Sequence, residues 1–287
     1  MRVLVIGSNG QLGTDLVEVL EEHHGLAVLG LDLPDIDITD AQSVDLVFGG
    51  FDPDFVINCA AWTAVDDAES KEEAALRVNG LGPRVIAEEC RKASAWLIHV
   101  STDYVFDGHA SSPYAEDTIP HPSTAYGRTK LVGEQAVRDV LPDSHYLVRT
   151  AWLYGCHGNN FVKTMLKLEK ERDTVSVVDD QRGQPTYSKD LAHQLAMLLE
   201  RHPEPGTFHG TNSGETTWFD FTREIFRLAG ADPNRVLPTS SAEFVRPAPR
   251  PSYSVLGHDR WVAAGLEPMR AWREALESAF ADGISAD

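Results

Sequence analysis

The chain has 287 residues, enough to bury a sizeable core either as one large α/β unit or as a large unit with a smaller lobe. A formal net charge of −19 argues against a nucleic-acid partner or an anionic-membrane surface, because phosphate contacts need clustered Lys and Arg. No apolar run approaches the ~20 residues that span a bilayer, and the first residues read as a strand rather than a charged, apolar leader, so a soluble cytoplasmic protein is expected.

The opening run Met1-Arg2-Val3-Leu4-Val5-Ile6 is short, apolar and β-branched, and breaks at once into Gly7-Ser8-Asn9-Gly10-Gln11-Leu12-Gly13. A strand, a glycine turn and a helix beginning near Gln11 follow from that pattern. Gly7, Gly10 and Gly13 allow a tight turn and close approach of a pyrophosphate, and the helix aims free N–H groups and its positive dipole end at the phosphates. Leu12, Leu16, Val19 and Leu20 recur at helical spacing, as in a helix laid on a sheet. Leu26 to Leu31 reads as a second strand ending at Asp32, whose carboxylate stands about 20 residues after the turn, where it binds the adenosine ribose hydroxyls.

Asp54 to Ala61 reads as a third, buried strand, with Ala60 and Ala61 small enough to leave room for a flat cofactor. A long helix over Glu72 to Ala93, a strand at Trp96 to Val100 and another at Ser144 to Arg149 continue the alternation of a parallel sheet covered on both faces. From about Arg149 the pattern becomes irregular, with a strand at Thr174 to Val178, helices near Ser188 to Leu199 and Trp218 to Leu228, and a Pro-rich stretch from Arg246 to Pro251. The expected fold is α/β, a Rossmann-type doubly wound parallel sheet with a smaller mixed C-terminal substrate lobe. Residues 1–150 form the dinucleotide-binding domain and 151–287 mainly the lobe, with later segments free to return to the sheet. Cys59, Cys90 and Cys156 are odd in number and have no metal spacing, and the His residues have no companions at ligand spacing.

Tyr126 and Lys130 lie four residues apart, hence on one face of a helix, where the ammonium can approach the phenol and favour its ionised form. That is a proton-delivery device, and Thr102, at the end of the preceding strand, can share a hydrogen bond with the same substrate oxygen.

Together these residues resemble the extended short-chain dehydrogenase/reductase superfamily, and within it the dTDP-4-dehydrorhamnose reductase family. The carriers are the Gly7 to Gly13 turn, Leu31-Asp32 with Asp35 to Asp40, Asn58 to Asp66, Val100 to Gly108, Tyr126 to Lys130, Arg149 to Gly155 and the paired Arg-Pro segments at Arg246-Pro247 and Arg250-Pro251. The resemblance implies hydride transfer from NAD(P)H to the C4 ketone of a nucleotide-linked 4-keto-6-deoxysugar, most specifically dTDP-4-dehydro-L-rhamnose, by a monomer or homodimer. It assigns Thr102, Tyr126 and Lys130 to catalysis, with Lys130 also holding the nicotinamide ribose. Cofactor contacts fall on Gly7, Asn9, Gly10, Gln11, Leu12, Gly13, Asp32, Asp37, Ile38, Cys59, Ala60, Ala61, Thr63, Tyr126 and Lys130. Sugar contacts fall on Thr63, Val65, Thr102, Asp103, Tyr104 and Trp152.

Dehydratases of the superfamily place an Asp-Glu pair after the catalytic Thr, whereas here Thr102-Asp103-Tyr104 lacks the second carboxylate, so simple reduction is expected. A reductase of a related antibiotic or streptose-type deoxysugar shares the same motifs, and a non-catalytic dinucleotide-binding subunit is the alternative of a different class. Many relatives follow the acidic residue of the second strand with Arg, but here Leu33 follows Asp32, which leans the cofactor toward NADH. Some relatives join subunits through a metal ion; Asp15 and Glu18 on the first helix read as a solvated face, so no metal is expected.

Overall fold

The computed structural model describes residues 1–286. Its central sheet has six parallel strands: β1 (Arg2–Ile6), β2 (Ala27–Leu31), β3 (Phe55–Asn58), β4 (Trp96–Thr102), β5 (His145–Thr150) and the strand Gly206–His209. Their order is Gly206–His209, β5, β4, β3, β1, β2. Successive strands therefore step outward to one side from β1 to β2 and to the other from β3 onward. The switch lies between β1 and β3, where Ile6 stands level with Asn58, and the crevice above such a point is where this architecture takes ligands.

β1 has no polar alternation because both of its faces are covered. Val3 and Val5 turn to a core shared with helices α1 (Gln11–Glu21) and α8 (Ser188–Arg201), packing on Leu16, Leu20, Leu191 and Leu195. Leu4 and Ile6 turn to the opposite core, formed by α2 (Ala41–Phe51), α5 (Gly82–Ala93) and α6 (Ala125–Val140) through Val44, Ile86, Cys90 and Val137. The chain thus returns to the sheet late, with α8 beside α1 and Gly206–His209 beside β5. A separate core gathers α7 (Phe161–Glu171), α9 (Trp218–Leu228) and the helix Trp272–Ala281 around the parallel pair Val175–Val178 and Val236–Thr239. No helix among the described residues is long and apolar enough to cross a membrane.

The expected single helix from Glu72 to Ala93 is interrupted. An α segment α4 (Glu72–Leu76) passes through a π turn at Arg77–Leu81 before α5, and the extra residue turns Asn79 inward, where it is buried. A separate short helix, α3 (Val65–Ser70), precedes it.

One charged pair bridges a helix and the sheet. Arg149 on β5 donates from Nε and Nη2 to the two carboxylate oxygens of Glu134 on α6, both at 2.8 Å, with side chains 1% and 0% exposed. Burial alone would raise the Glu134 pKa, but Arg149 and Arg138 hold it below the ordinary carboxylate value. The pair is well made, yet each charge depends on its partner. Arg149→Met is expected to cost about 3–5 kcal/mol in urea unfolding, and Glu134→Leu combined with Arg149→Met to recover most of it. An unchanged midpoint for the single variant would show that Glu134 is solvated or otherwise paired.

Candidate active site

The carboxyl ends of β1 to β5 open into one cleft of about 710 Å³. At its floor the glycine turn is held to β2 by Gly7 N–H and Ser8 N–H donating to Leu31 O at 2.8 and 3.2 Å. Gly7 has φ +82°, and a Cβ on it would meet Ala60 N at 2.7 Å; a Cβ on Gly13 would overlap the Gly7 carbonyl. Those two glycines are demanded by the turn itself. Gly10 differs, because a Cβ there would meet only Gly7 O at 3.3 Å and otherwise face the cleft. Gly10 also caps α1 without a side-chain hydrogen bond, which leaves the first N–H groups of the helix directed at the cleft. Gln11, Leu12, Asp37, Ile38, Cys59, Ala60 and Ala61 line the walls of this end. Asn9 is exposed, is not in the lining, and donates its N–H to Asp32 Oδ2 at 3.2 Å, while Leu33 N–H reaches Asp32 Oδ1 at 2.8 Å.

The other end is built by β4 and α6. Thr124 caps α6, accepting from Gly127 N–H at 3.0 Å, and Glu69 accepts from Ala125 N–H at 2.8 Å. Gly127 is needed because a Cβ there would overlap the Tyr104 carbonyl. Seated in this way, α6 brings the Tyr126 ring edge-on to Tyr104, with centroids 5.6 Å apart, and its phenol to the Thr102 hydroxyl. Lys130, one turn on, is buried and donates to Val100 O at 2.7 Å. Thr63, Val65, Asp103, Tyr104 and Trp152 complete the walls.

The electrostatics differ from the sequence expectation in one respect. Burial pushes the Tyr126 phenol up to about 12, opposed by the neighbouring Thr102 hydroxyl, and Lys130 does not bring it down. The Lys130 ammonium is committed to the Val100 carbonyl, and burial lowers its own pKa to about 8 against the pull of Glu134. A phenol that stays protonated is suited to giving a proton rather than taking one.

The chain matches the RmlD substrate binding domain model over residues 1–284. It is 53% identical over 281 residues to the dTDP-4-keto-6-deoxy-D-glucose reductase of Streptomyces niveus, covering 97% of this chain and 96% of that one. It is 52% identical over 283 residues to the dTDP-4-dehydrorhamnose reductase of Streptomyces griseus, covering 97% and 93%. The dTDP-4-dehydrorhamnose reductase of Bacillus anthracis, solved in complex with NADP, superposes with a TM-score of 0.93 at 40% identity over 98% of this chain and 99% of its own. The chain belongs to the dTDP-4-dehydrorhamnose reductase family.

For a member of this reductase family the cleft must take a nicotinamide dinucleotide, and the residues fit one. The open face over Gly10, the uncapped start of α1 and a buried ammonium with N–H groups beyond the one given to Val100 are all in the same lining. Several further contacts support the walls of the cleft. Asn79, turned in by the π turn, accepts from Trp62 N–H at 2.8 Å and donates to Trp62 O at 3.1 Å and Thr129 Oγ1 at 3.2 Å, fixing the loop that leads to Thr63 and Val65. Trp152, at φ +47°, stacks on Trp218 with centroids 3.6 Å apart. Asp66 accepts from Arg250 at 2.9 Å and from Ala248 N–H at 3.2 Å, which ties the Pro-rich segment to α3. Trp152 and Asp66 lie in runs that carried the resemblance, whereas the inward turn of Asn79 and the stacking partner Trp218 had no sequence signal.

Asp15 is not on a solvated face. It is buried, hydrogen-bonded by Ser188, and its pKa is raised by burial, while His157 lies 3.5 Å from it and 3.8 Å from Glu18. The ligand atoms of the three lie within 4.8 Å of one another.

Asn79→Ala removes three hydrogen bonds at a buried position. It is expected to cost about 1–3 kcal/mol and to speed hydrogen exchange at the Trp62 amide; a protected Trp62 amide in that variant would show that the loop is held by other contacts.

Proposed function

We propose that this chain reduces the C4 ketone of a dTDP-linked 4-keto-6-deoxysugar, with dTDP-4-dehydro-L-rhamnose as its substrate and dTDP-L-rhamnose as its product. The observation that carries the reading is the meeting of a protonated, buried phenol at Tyr126 with Thr102 and Lys130 in one cleft, opposite an uncapped helix start. The names of the Streptomyces griseus and Bacillus anthracis relatives support the same sugar.

When bound, reduced nicotinamide supplies hydride to the ketone carbon. The residues of this chain do the remainder. Tyr126 gives its proton to the oxygen on which negative charge develops, and Thr102 adds a second hydrogen bond to that oxygen. Lys130, with N–H groups beyond the one given to Val100, holds the ribose next to the nicotinamide. Thr63, Val65, Tyr104 and Trp152 hold the sugar so that the ketone meets its reactant in one orientation. At the far end, Gly7, Gly10, Gln11, Leu12 and Gly13 receive the pyrophosphate, Asp32 the adenosine ribose, and Asp37, Ile38, Cys59, Ala60 and Ala61 frame the adenosine and the path between.

Incubation with a panel of 4-keto-6-deoxysugar nucleotides, followed by NADH absorbance, tests reaction and substrate together. A better rate with the sugar of the Streptomyces niveus relative would move the assignment to that deoxysugar. Tyr126→Phe is expected to lower kcat by about 100-fold or more while dinucleotide still binds, and undiminished turnover would remove Tyr126 from its role. Gly10→Val is expected to abolish dinucleotide binding with the fold intact, since its side chain would stand in the open face over the turn.

The cofactor preference we propose is NADH. Lys130 is the sole Lys or Arg among the residues lining the cleft, and it stands at the nicotinamide end; the adenosine end presents Asp32 and the exposed Leu33. A 2′-phosphate there meets a carboxylate with no cation to offset it. The expected kcat/KM ratio favours NADH by about tenfold or more; a preference for NADPH would show that a cation from outside this lining reaches the phosphate.

A further inference from the structure

The Thr102 hydroxyl has one hydrogen and two lone pairs to distribute. In this structure it accepts from Tyr104 N–H at 3.2 Å and donates to Asp103 Oδ1 at 3.0 Å. Its single hydrogen is therefore given to a neighbour on its own strand end, and the lone pair left over can only accept. A hydroxyl so disposed has nothing to offer a ketone oxygen that is gaining negative charge, which needs donors.

We propose that Asp103 is a positioning residue that sets the direction of the Thr102 hydrogen bond: uncharged, it donates to Thr102 Oγ1 and frees that hydroxyl to donate to the sugar oxygen, and ionised, it takes the hydrogen for itself. The proposal rests on the reading above that Thr102 and Tyr126 face the ketone. The proton balance is simple. With Asp103 protonated, Thr102 Oγ1 accepts from Asp103 and from Tyr104 N–H, both lone pairs are used, and the O–H points outward. Loss of the Asp103 proton to solvent reverses the bond.

The surroundings of Asp103 suit an uncharged acid. It is 4% exposed, and its Oδ2 lacks a hydrogen-bond partner among the described residues. The groups facing it are the Thr102 hydroxyl, Tyr104 of the same turn, the Tyr126 phenol from α6 and the Ser254 hydroxyl from the C-terminal segment. Ser254 lies close enough to lower the Asp103 pKa but makes no well-formed bond, so its own Oγ is also without a partner. Beyond Tyr104 lies Arg250, which is paired with Asp66. No ammonium or guanidinium forms an ion pair with Asp103 among the described residues. Burial pushes its pKa up to about 6, opposed by Ser254, Thr102 and backbone N–H groups. A sugar that excludes further water moves it higher still.

The sign follows. Below the Asp103 pKa the Thr102 hydroxyl is free to donate; as pH rises through it, the carboxylate captures the Thr102 hydrogen and kcat falls, approaching about tenfold per pH unit. The test is kcat and KM between pH 5 and about 8 for the wild type, Asp103→Asn, Asp103→Ala and Thr102→Val with a 4-keto sugar nucleotide, alongside NADH binding by fluorescence to show that each variant keeps its cleft. The wild type is expected to show the falling limb. Asp103→Asn, whose amide does not titrate, should lose the limb. Asp103→Ala should lower kcat about tenfold with KM little changed, and Thr102→Val should lower kcat and abolish the limb. A limb that persists in Asp103→Asn or in Thr102→Val, or an Asp103→Ala enzyme equal to wild type across the range, overturns the proposal. A wild type that reduces no sugar of the panel overturns the functional reading on which it stands.

Discussion

The site depends on how closely helix α6 can approach the end of β4. Two of its residues allow the contact: a side chain at Gly127 would overlap the carbonyl of Tyr104, and one at Gly133 would overlap the carbonyl of Asn79 in the π turn. With the backbone admitted at both points, side chains four residues apart along α6 all face inward. Tyr126 reaches Thr102, Lys130 reaches Val100 O, Glu134 reaches Arg149, and Arg138 reaches Glu134 at 3.2 Å. One row of the helix thus carries the phenol and ammonium of the cleft and the charges behind them. The row cannot be shifted by a residue without losing all four contacts at once.

That row also explains how an ammonium is kept in a dry place. Lys130 is buried, which costs its charged form, and its nearest compensation is the Glu134 carboxylate one turn away. Glu134 is itself fully buried and survives as an anion because Arg149 meets it with two parallel hydrogen bonds. The guanidinium of Arg149 lies over the Phe106 ring, 4.9 Å from its centroid, and so ends the chain of charges on an aromatic face. Charge on the sheet therefore sustains charge in the cleft. Because the two carboxylate oxygens of Glu134 are taken by Arg149, Lys130 feels it through space rather than through a bond, which leaves the ammonium near neutrality in pKa and open to a ligand.

Much of this was legible in the sequence where the cause is local. The turn from Gly7 to Gly13 was readable because a strand that ends in a tight bend needs glycines at fixed offsets, and β1 because residues covered on both faces have no reason to alternate in polarity. Tyr126 and Lys130 were readable by helical spacing, as was their place on one face. What spacing could not show is desolvation. The expectation that Lys130 would draw down the Tyr126 pKa counted a neighbouring charge and omitted burial, and burial is the larger effect. Asp15 was misplaced for the same reason: position on an amphipathic helix does not reveal that Ser188, 173 residues later, covers it. Asn79 was hidden because a π turn depends on what the inserted residue finds to bond, here the Trp62 backbone and Thr129. The partner of Trp152, Trp218, lies in a core assembled wholly from the second half of the chain.

The C-terminal segment shows what the irregular half of the sequence contributes. Arg250 and Ala248 N–H close on Asp66 at the start of α3, two bonds that join the Pro-rich stretch to the loop carrying Thr63 and Val65. A few residues on, Ser252 donates to Gly108 O at 2.9 Å, and Ser254 N–H donates to Arg182 O at 2.8 Å. Prolines suit such a strap, since a segment with fewer conformations to lose is held by few bonds. The strap passes from the loop before α3 to the Thr102 end of β4, and its Ser254 hydroxyl lies against Asp103. The segment that holds the loop before α3 is therefore continuous with the one that covers Asp103. The position of that loop and the burial of the Asp103 carboxyl are thus tied to one piece of chain.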